Sequence, residues 1–381
     1  MIWAYRRAKV YYSRYLRAKA MSIPSVSIII PVFNQWRYTT ECLEALRTHT
    51  SAEIPFEVVI VDNASTDETA SGLREWQTRW PLVRVETLSE NTGFSPACNH
   101  GAQVSRGEYL LFLNNDTIPQ PGWLEPLLNE IKESGVGIVG PKLVYPDGKS
   151  INHAGYVFGL GFFYSIYHEH HPGAPEVNKK RDYQALLGAC ILISRELFFT
   201  LGAFALDGLE DIDLCLKAGA KSLCSRYVPA STVYHHGSVT LVNSAPGTFP
   251  VTSQIGFNQR WDTFSIVWDD YRWYLEDGIW PGPPEAPSPS ARLEIANRSM
   301  SKLEEAYKLR NQGEFGAALQ KVDAAFSLWP SNPMALLLRC QLLERTGRIP
   351  ETREELLEFG NFSFCRGPVL MELMQLAERV V

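Results

Sequence analysis

"VSIIIPVFN", residues 26–34, is followed by "TTECLEALRTHT" at 39–50 and "FEVVIVDNAS" at 56–65. The first is a continuous apolar run that should stop at Pro31, the second a helical segment, and the third another apolar run that ends in polar residues. Short apolar strands alternating with helices predict an α/β fold with a mostly parallel sheet covered on both faces. "SPACNHGAQVSRG" (95–107) then leads into a further strand, "EYLLFLNND" (108–116). In such sheets ligands bind beyond the carboxyl ends of the strands. Three strand ends are therefore expected at one crevice: Pro31 to Asn34, Asp62 to Asp67, and Asn114 to Asp116. Asp116 is conspicuous there as one carboxylate behind two amides.

The composition narrows the class. The chain has 381 residues, 45% hydrophobic and 20% charged, as in a folded globular protein with material for one large domain and a smaller one. A net charge of −6 argues against a general nucleic-acid binder. Seven scattered cysteines without a CxxC pair suit a reducing compartment and give no zinc site. No apolar run approaches the ~18 residues of a membrane span, and the amino terminus lacks the apolar core of a secretory signal. The expected location is the cytoplasm, with a peripheral place at the inner face of the membrane suggested by the first 22 residues. "MIWAYRRAKVYYSRYLRAKA" carries six basic residues and no acid. Wound as a helix it puts Arg6, Arg7, Arg14 and Arg17 on one side and mostly tyrosines on the other, which fits an anionic lipid surface or packing on the chain's own domain.

Domain boundaries follow from composition. Residues 23–280 are expected to form the large domain, and "PGPPEAPSPS" opens a proline-rich linker read as 281–295. In the tail, 296–381, Gly313 and Gly347 stand 34 residues apart, the period of tetratricopeptide helix pairs. Gly313-Glu314-Phe315, Ala318, Ala325 and Pro330 resemble that pattern, while the second copy is degenerate at Ile349 and Thr352. Fewer than two good copies cannot stand alone, so the tail is expected to dock on the main domain or on a protein partner; a plain helical hairpin is the other reading.

Four blocks occur in order: "VSIIIPVFNQ", "VVIVDNASTDET", "NTGFSPACNHGAQVSRGEYLLFLNND" and "GLEDIDLCLKAGA". Together they resemble family-2 glycosyltransferases of GT-A fold, and "NTGF" with "LNND" is most similar to the rhamnosyltransferase-type branch. The resemblance spans roughly residues 25–240. It implies a Rossmann-like central sheet with helices on both faces, and transfer of a sugar with inversion from a nucleotide-diphosphate donor, UDP- or dTDP-linked, to a glycan, lipid-linked glycan or protein hydroxyl. The other class of function to be weighed is a catalytically weakened transferase domain acting as a repeat-bearing scaffold.

What the resemblance implies for residues is specific. Asp116 matches the last position of the family's DxD motif and would bind Mn²⁺ or Mg²⁺; hard oxygen ligands and retained phosphates and waters suit these ions. Asn114 replaces the motif's first aspartate and, with Asn115, would make neutral contacts to ribose or phosphate. Asp62 would accept a hydrogen bond from a pyrimidine base, with Pro31, Phe33 and Asn34 beside it. Asn91, Gly93 and Asn99 would form the nucleotide-facing loop. The general base should be an acid whose pKa burial can raise. The motif "GLEDIDLCLKAG" supplies Asp211 for that role and Glu210 to orient it, while Asp213 should face elsewhere. His236 of "VYHHGSVT" is the expected second metal ligand. Asp67 is read as a helix cap, and the "YHEHHPG" tract as an acceptor-facing loop rather than a zinc site.

Overall fold

The computed structural model describes residues 24–159, 162–237, 251–261, 266–280, 283, 288–359 and 367–380. The basic amino-terminal segment, 1–22, lies outside the described residues. Two compact units partition the rest, one within Met1–Tyr156 plus Tyr167–Arg260 and the other within Val157–Ile166 plus Trp261–Val381.

The first unit opens as a repeated strand–helix series: β1 (Val26–Val32), α1 (Trp36–His49), β2 (Phe56–Asp62), α2 (Thr69–Arg79), β3 (Val83–Thr87), α3 (Phe94–Val104) and β4 (Tyr109–Leu113). These strands pair in parallel in the order β4-β1-β2-β3. All seven residues of β1 and of β2 are buried, as strands covered on both faces must be. Strand β1 does not stop at Pro31; it runs to Val32, paired with Asp62 of β2. Pairing of β1 with β4 ends at Ile29, so Pro31 lies where one flank of the strand is unpaired and a missing N–H is tolerated.

The chain continues through β5 (Thr117–Pro119), α4 (Leu124–Glu130), β6 (Val136–Val144) and β7 (Ile151–His153). After the hairpin strands β8 (Tyr156–Gly159) and β9 (Phe162–Ser165) come β10 (Arg181–Tyr183), β11 (Cys190–Ser194), α5 (Arg195–Thr200), α6 (Glu210–Gly219), β12 (Cys224–His235) and α7 (Val251–Arg260). The complete sheet order is β10-β12-β6-β11-β4-β1-β2-β3, with β5 on β12 and β7 on β6. Strand β11 is antiparallel to both β4 and β6, while β6 and β12 are parallel to each other. The sheet is therefore mostly parallel with one reversed strand in its middle. Strand β12 carries a register shift between Val228 and Thr232 and still reaches far enough to pair His235 with Thr117 of β5. The sheet's core includes Ile28, Ile30, Val58, Ile60, Leu111 and Leu192, with helix residues such as Leu43, Leu46 and Leu73 packed on it.

In the second unit, the hairpin of β8 and β9 joins α8 (Asp270–Glu276) and the helices α9 (Pro289–Asn311), α10 (Phe315–Leu328), α11 (Pro333–Arg345), α12 (Ile349–Phe359) and α13 (Gly367–Val380). Two sequence expectations are corrected here. The large domain is not continuous over 23–280, because Phe158 exchanges backbone and carboxylate hydrogen bonds with Asp269 and the Tyr164 hydroxyl donates to Asp270 at 2.8 Å. Long-range pairing of this kind leaves no mark in composition. The linker read as 281–295 also ends early: α9 starts at Pro289, and the Ser288 hydroxyl caps it by accepting from the Ala291 N–H at 3.2 Å. Proline is compatible with a first helical turn, so proline content alone overstates a linker. Gly313 and Gly347 each take positive φ just past the ends of α9 and α11.

Candidate active site

The carboxyl ends of β1, β2 and β4 meet as expected, and hydrogen bonds weld their loops together. Asn34, in the left-handed conformation at φ 57°, accepts at Oδ1 from the Thr66 N–H at 2.7 Å, and its own N–H donates to the Ser65 hydroxyl. Asp62 is buried and accepts from the Ser65 N–H at 2.9 Å. Asp67 accepts from the Thr69 N–H at 3.0 Å in the first turn of α2 and from the Trp36 N–H at the start of α1. Pro31 is buried within β1 and Phe33 half-buried beyond it.

Asn63, which sequence reasoning passed over, organises the "NTGF" loop. Its Nδ2 donates to Asn91 Oδ1 and to the Gly93 carbonyl, both at 2.9 Å, and its Oδ1 accepts from the Thr92 N–H. Asn91 is thus used within the loop. Gly93 has φ 94°, and a Cβ there would stand 2.6 Å from Asp207 Oδ2. Asn99 departs from the expected role: its amide pairs on both sides with the backbone of Phe204, at 2.9 and 3.2 Å. Ser95 adds two more ties to the same segment, donating from N–H to Asp207 and from its hydroxyl to the Leu206 carbonyl. The start of α3 therefore clamps residues 204–207, the lead into the acidic motif. The signal for this was the acid Asp207 directly before "GLED", which reads as one more acid until its partner is seen.

Asp116 follows β4 and is only 7% exposed. Its Oδ1 lies 3.4 Å from Nε2 of His235, itself 5% exposed. His235 Nδ1 meets Asn152 Oδ1 at 2.8 Å. An amide oxygen only accepts, so Nδ1 donates to Asn152, and Nε2 is the ring nitrogen turned toward the carboxylate. That buried Nε2 has no aligned hydrogen-bond partner. Burial is the largest influence on Asp116 and pushes its pKa up, but the hydrogen bond and charge of His235, a backbone N–H and the charge of His236 together outweigh it, and the carboxyl ends below its ordinary value. A buried carboxylate oxygen and a buried imidazole nitrogen brought this close would together suit a divalent cation, and the oxygen–nitrogen set suits Mn²⁺ better than Mg²⁺. The imidazole that faces Asp116 is that of His235, not of His236, the residue expected from sequence. The His236 imidazole instead meets Glu41 at 3.1 Å and packs edge-on to Tyr38, while its N–H donates to the Asp116 carbonyl. The two neighbouring side chains take different directions where β12 ends, His235 toward Asp116 and His236 toward Glu41. Among the described residues no three metal-ligating side chains converge, so any ion would draw its remaining ligands from substrate and water. Asn114 Oδ1 is buried without a hydrogen-bond partner, and Asn115 Nδ2 donates to the Thr39 hydroxyl at 2.9 Å.

The acidic motif sits at the start of α6. Asp211 is 7% exposed; its Oδ2 accepts from the Gly188 N–H and its Oδ1 from the Ile212 N–H, both at 2.7 Å. A Cβ on Gly188 would stand 3.0 Å from the Asp211 Cβ, tighter than ordinary contact, so a larger residue here would press on Asp211. Burial raises the Asp211 pKa against these two N–H donors. Glu210 accepts from the Gly208 N–H, and burial first, then the neighbouring Asp211, raises it strongly. Two donors on Asp211 favour its anion, which makes Glu210 the proton-holding partner of the pair. Asp213 faces away as expected: fully buried, it binds Lys217 Nζ and Arg260, each at 2.7 Å, and fastens α6 to α7. Tyr156 lies near the pair, its phenol held protonated by burial first and then by Asp211 and Glu210.

The histidine tract is taken up piecewise. His168 meets the Tyr145 hydroxyl at 3.0 Å, His170 meets Glu176 at 2.8 Å, and His171 accepts from the Gly173 N–H. Among the described residues no helix is long and apolar enough to cross a membrane.

Known proteins are similar to this chain in sequence and fold. Residues 27–198 match the sequence model described as Glycosyl transferase family 2. An O-antigen biosynthesis protein RfbC of Myxococcus xanthus is 31% identical over 59% of this chain and 18% of its own length. Glycosyltransferase AglE of Haloferax volcanii is 35% identical over 33% of this chain and 42% of its own. The chain thus spans less than half the length of these relatives. In fold it is similar to GalNAc-T7, solved with UDP, GalNAc and Mn²⁺ (TM-score 0.51, 19% identity, covering 68% of this chain and 52% of that one). It is also similar to S. aureus TarS 1-349 in complex with UDP-GlcNAc (TM-score 0.50, 16% identity, 88% and 90%). Over residues 27–198 this chain is thus similar to glycosyl transferases of family 2, and its fold is similar to those of GalNAc-T7 and TarS.

Proposed function

We propose that this protein is an inverting glycosyltransferase that moves a sugar from a UDP- or dTDP-linked donor to a hydroxyl of a glycan, lipid-linked glycan or protein. The observation that carries the reading is the Asp116–His235 pair, a buried Nε2 standing 3.4 Å from a buried carboxylate beyond the ends of parallel strands. A divalent cation held by these two residues would supply positive charge to the departing diphosphate. The relatives' names and the UDP, UDP-GlcNAc and Mn²⁺ bound in the similar folds support the same chemistry.

The chain's own residues divide the remaining work. The loops held by Asn34, Asp62 and Asn63 receive the nucleotide, and Asn114 Oδ1, buried and unpaired, is available to accept from a ribose hydroxyl. Asp211 takes the acceptor hydroxyl's proton as its oxygen bonds to the anomeric carbon and the bond to the β-phosphate oxygen breaks. Burial that raises the Asp211 pKa makes it a stronger base than a surface aspartate. Glu210 orients the base segment through its hydrogen bond to Gly208. The helical tail is read as tetratricopeptide-like, a surface for a protein partner, and the amino-terminal segment as a peripheral lipid contact.

Thermal-shift measurement with UDP-, dTDP- and GDP-sugars, with and without Mn²⁺, tests the reading. A metal-dependent shift selective for one nucleotide, abolished in Asp116→Ala, is expected. Absence of any nucleotide-sugar binding and of donor hydrolysis would overturn it.

A further inference from the structure

The mechanism leaves unused a short strand that touches both halves of the site. We propose that Asn152 and His153, consecutive on β7, are positioning residues that hold the metal-binding and base-bearing halves in register: Asn152 orients His235 beside Asp116, and His153 holds the loop that places Gly188 on Asp211. This inference rests on the roles assigned above to Asp116, His235 and Asp211.

The contacts run unbroken in both directions from the one strand. Asn152 Oδ1 fixes the His235 ring at 2.8 Å and thereby turns Nε2 to Asp116. Its neighbour His153, 2% exposed, accepts at Nε2 from the Leu187 N–H at 3.0 Å. The next N–H, on Gly188, donates to Asp211 Oδ2 at 2.7 Å. Adjacent strand residues point to opposite faces, so two neighbours in sequence can serve two separate halves. For His153 to accept at Nε2 it must be neutral, and burial, followed by His235 and His168, pulls its pKa down to about 3.

The strand is itself held on both sides. On one side His153 and Ile151 pair with Leu143 and Val144 of β6. On the other, the Ile151 N–H donates to the His170 carbonyl and its carbonyl accepts from the Glu169 N–H, both at 2.8 Å. A strand pinned this way is a fixed spacer, and the groups hydrogen-bonded to the far nitrogen of a metal-ligating histidine usually set its tautomer and orientation. The motif "INHAG", 151–155, gave no sign of this in sequence, because its partners lie at 187 and 235.

The test is a crossed phenotype. In full-length protein, Mn²⁺ affinity is read by electron paramagnetic resonance with UDP and, separately, dTDP present. The pH profile of UDP-glucose and dTDP-glucose hydrolysis is read alongside. Asn152→Ala is expected to weaken Mn²⁺ binding by ~10–100-fold with the pH midpoint unmoved, and Asn152→Asp, which keeps an acceptor oxygen, to restore much of it. His153→Ala is expected to leave Mn²⁺ affinity within about 2-fold, lower kcat, and move the acid limb to higher pH, with His153→Gln restoring the profile. The upward direction follows from the Gly188 N–H, which lowers the Asp211 pKa while Glu210 is the acid beside it and Tyr156 and Cys215 are the other titratable groups facing it. Equal changes in both readouts for both variants, or a fall in melting temperature alone, overturn the inference. A wild type that binds no Mn²⁺ with either nucleotide and hydrolyses neither sugar overturns the parent reading instead, and that failure is visible before any variant is made.

Discussion

Asp116 and His235 stand 3.4 Å apart because β5 and β12 pair antiparallel with His235 opposite Thr117. The residue just before β5 is thereby brought to the end of a strand from a distant part of the chain. Asp116→Asn keeps the shape and removes the charge, and His235→Gln removes the imidazole lone pair. Each should weaken Mn²⁺-dependent UDP or dTDP binding by more than ~100-fold, beyond the usual effect of an outer-shell partner. His236→Gln, by contrast, should change it little, since that imidazole meets Glu41. Calorimetric titration of Mn²⁺ checks all three; a His236 variant weaker than the His235 variant would reverse the assignment.

The base should reveal itself in pH dependence. Only ionised Asp211 can accept a proton, and burial raises its pKa from the ordinary carboxylate value. Turnover should therefore climb with pH through that raised value and fall away below it. Asp211→Asn should lower kcat by ~10²–10⁴-fold and flatten the acid limb. An Asp211→Asn enzyme that retains the wild-type limb would move the base elsewhere, with Glu210→Gln the next variant to measure.

Asn63 is expected to matter more than its anonymity in sequence suggests. Asn63→Ala removes the donors to Asn91 and Gly93 and the acceptor for Thr92. Leaving such partners unsatisfied costs about 1–3 kcal/mol each when they are buried, less here because the loop is partly exposed. A lower melting temperature and weaker nucleotide binding should appear together, and Asn63→Asp should recover only the Thr92 contact. A variant with unchanged nucleotide affinity would show that the loop does not face the donor.

How far the sequence could be read depended on the range of the interaction. The parallel β1–β4 series and its crevice were legible, because apolar runs and their polar ends are local patterns. Asp213 facing away from Asp211 was legible for the same reason, from helical spacing alone. That His235 rather than His236 faces Asp116 was not, because it hangs on the register of β5 against β12 and on the bulge between Val228 and Thr232. Asn99 was misleading: its neighbours suggested a nucleotide, and its amide pairs with Phe204 instead. The division of the chain failed at residues 157–166, where a hairpin inside the sheet domain's sequence belongs with Asp269 and Asp270 far downstream.

That hairpin carries a pH-sensitive contact. Asp270 is fully buried, and burial pushes its pKa up to about 8, with the Tyr164 hydroxyl opposing and Asp269 reinforcing the shift. In the unfolded chain the same carboxyl titrates near ~3.9, so the folded state binds a proton that the unfolded state has released. The resulting stability is complete below the unfolded value and is lost as pH rises through the folded one. The difference in unfolding free energy between wild type and Asp270→Asn should therefore change by up to ~1.4 kcal/mol per pH unit between pH 5 and 8 and level off above that, the variant gaining on wild type as pH rises. Denaturant melts of both proteins across this range measure the slope. Parallel curves would mean that Asp270 is ionised in the folded protein and held by a partner, and the buried hairpin contact would then be an ion–dipole one rather than a neutral one.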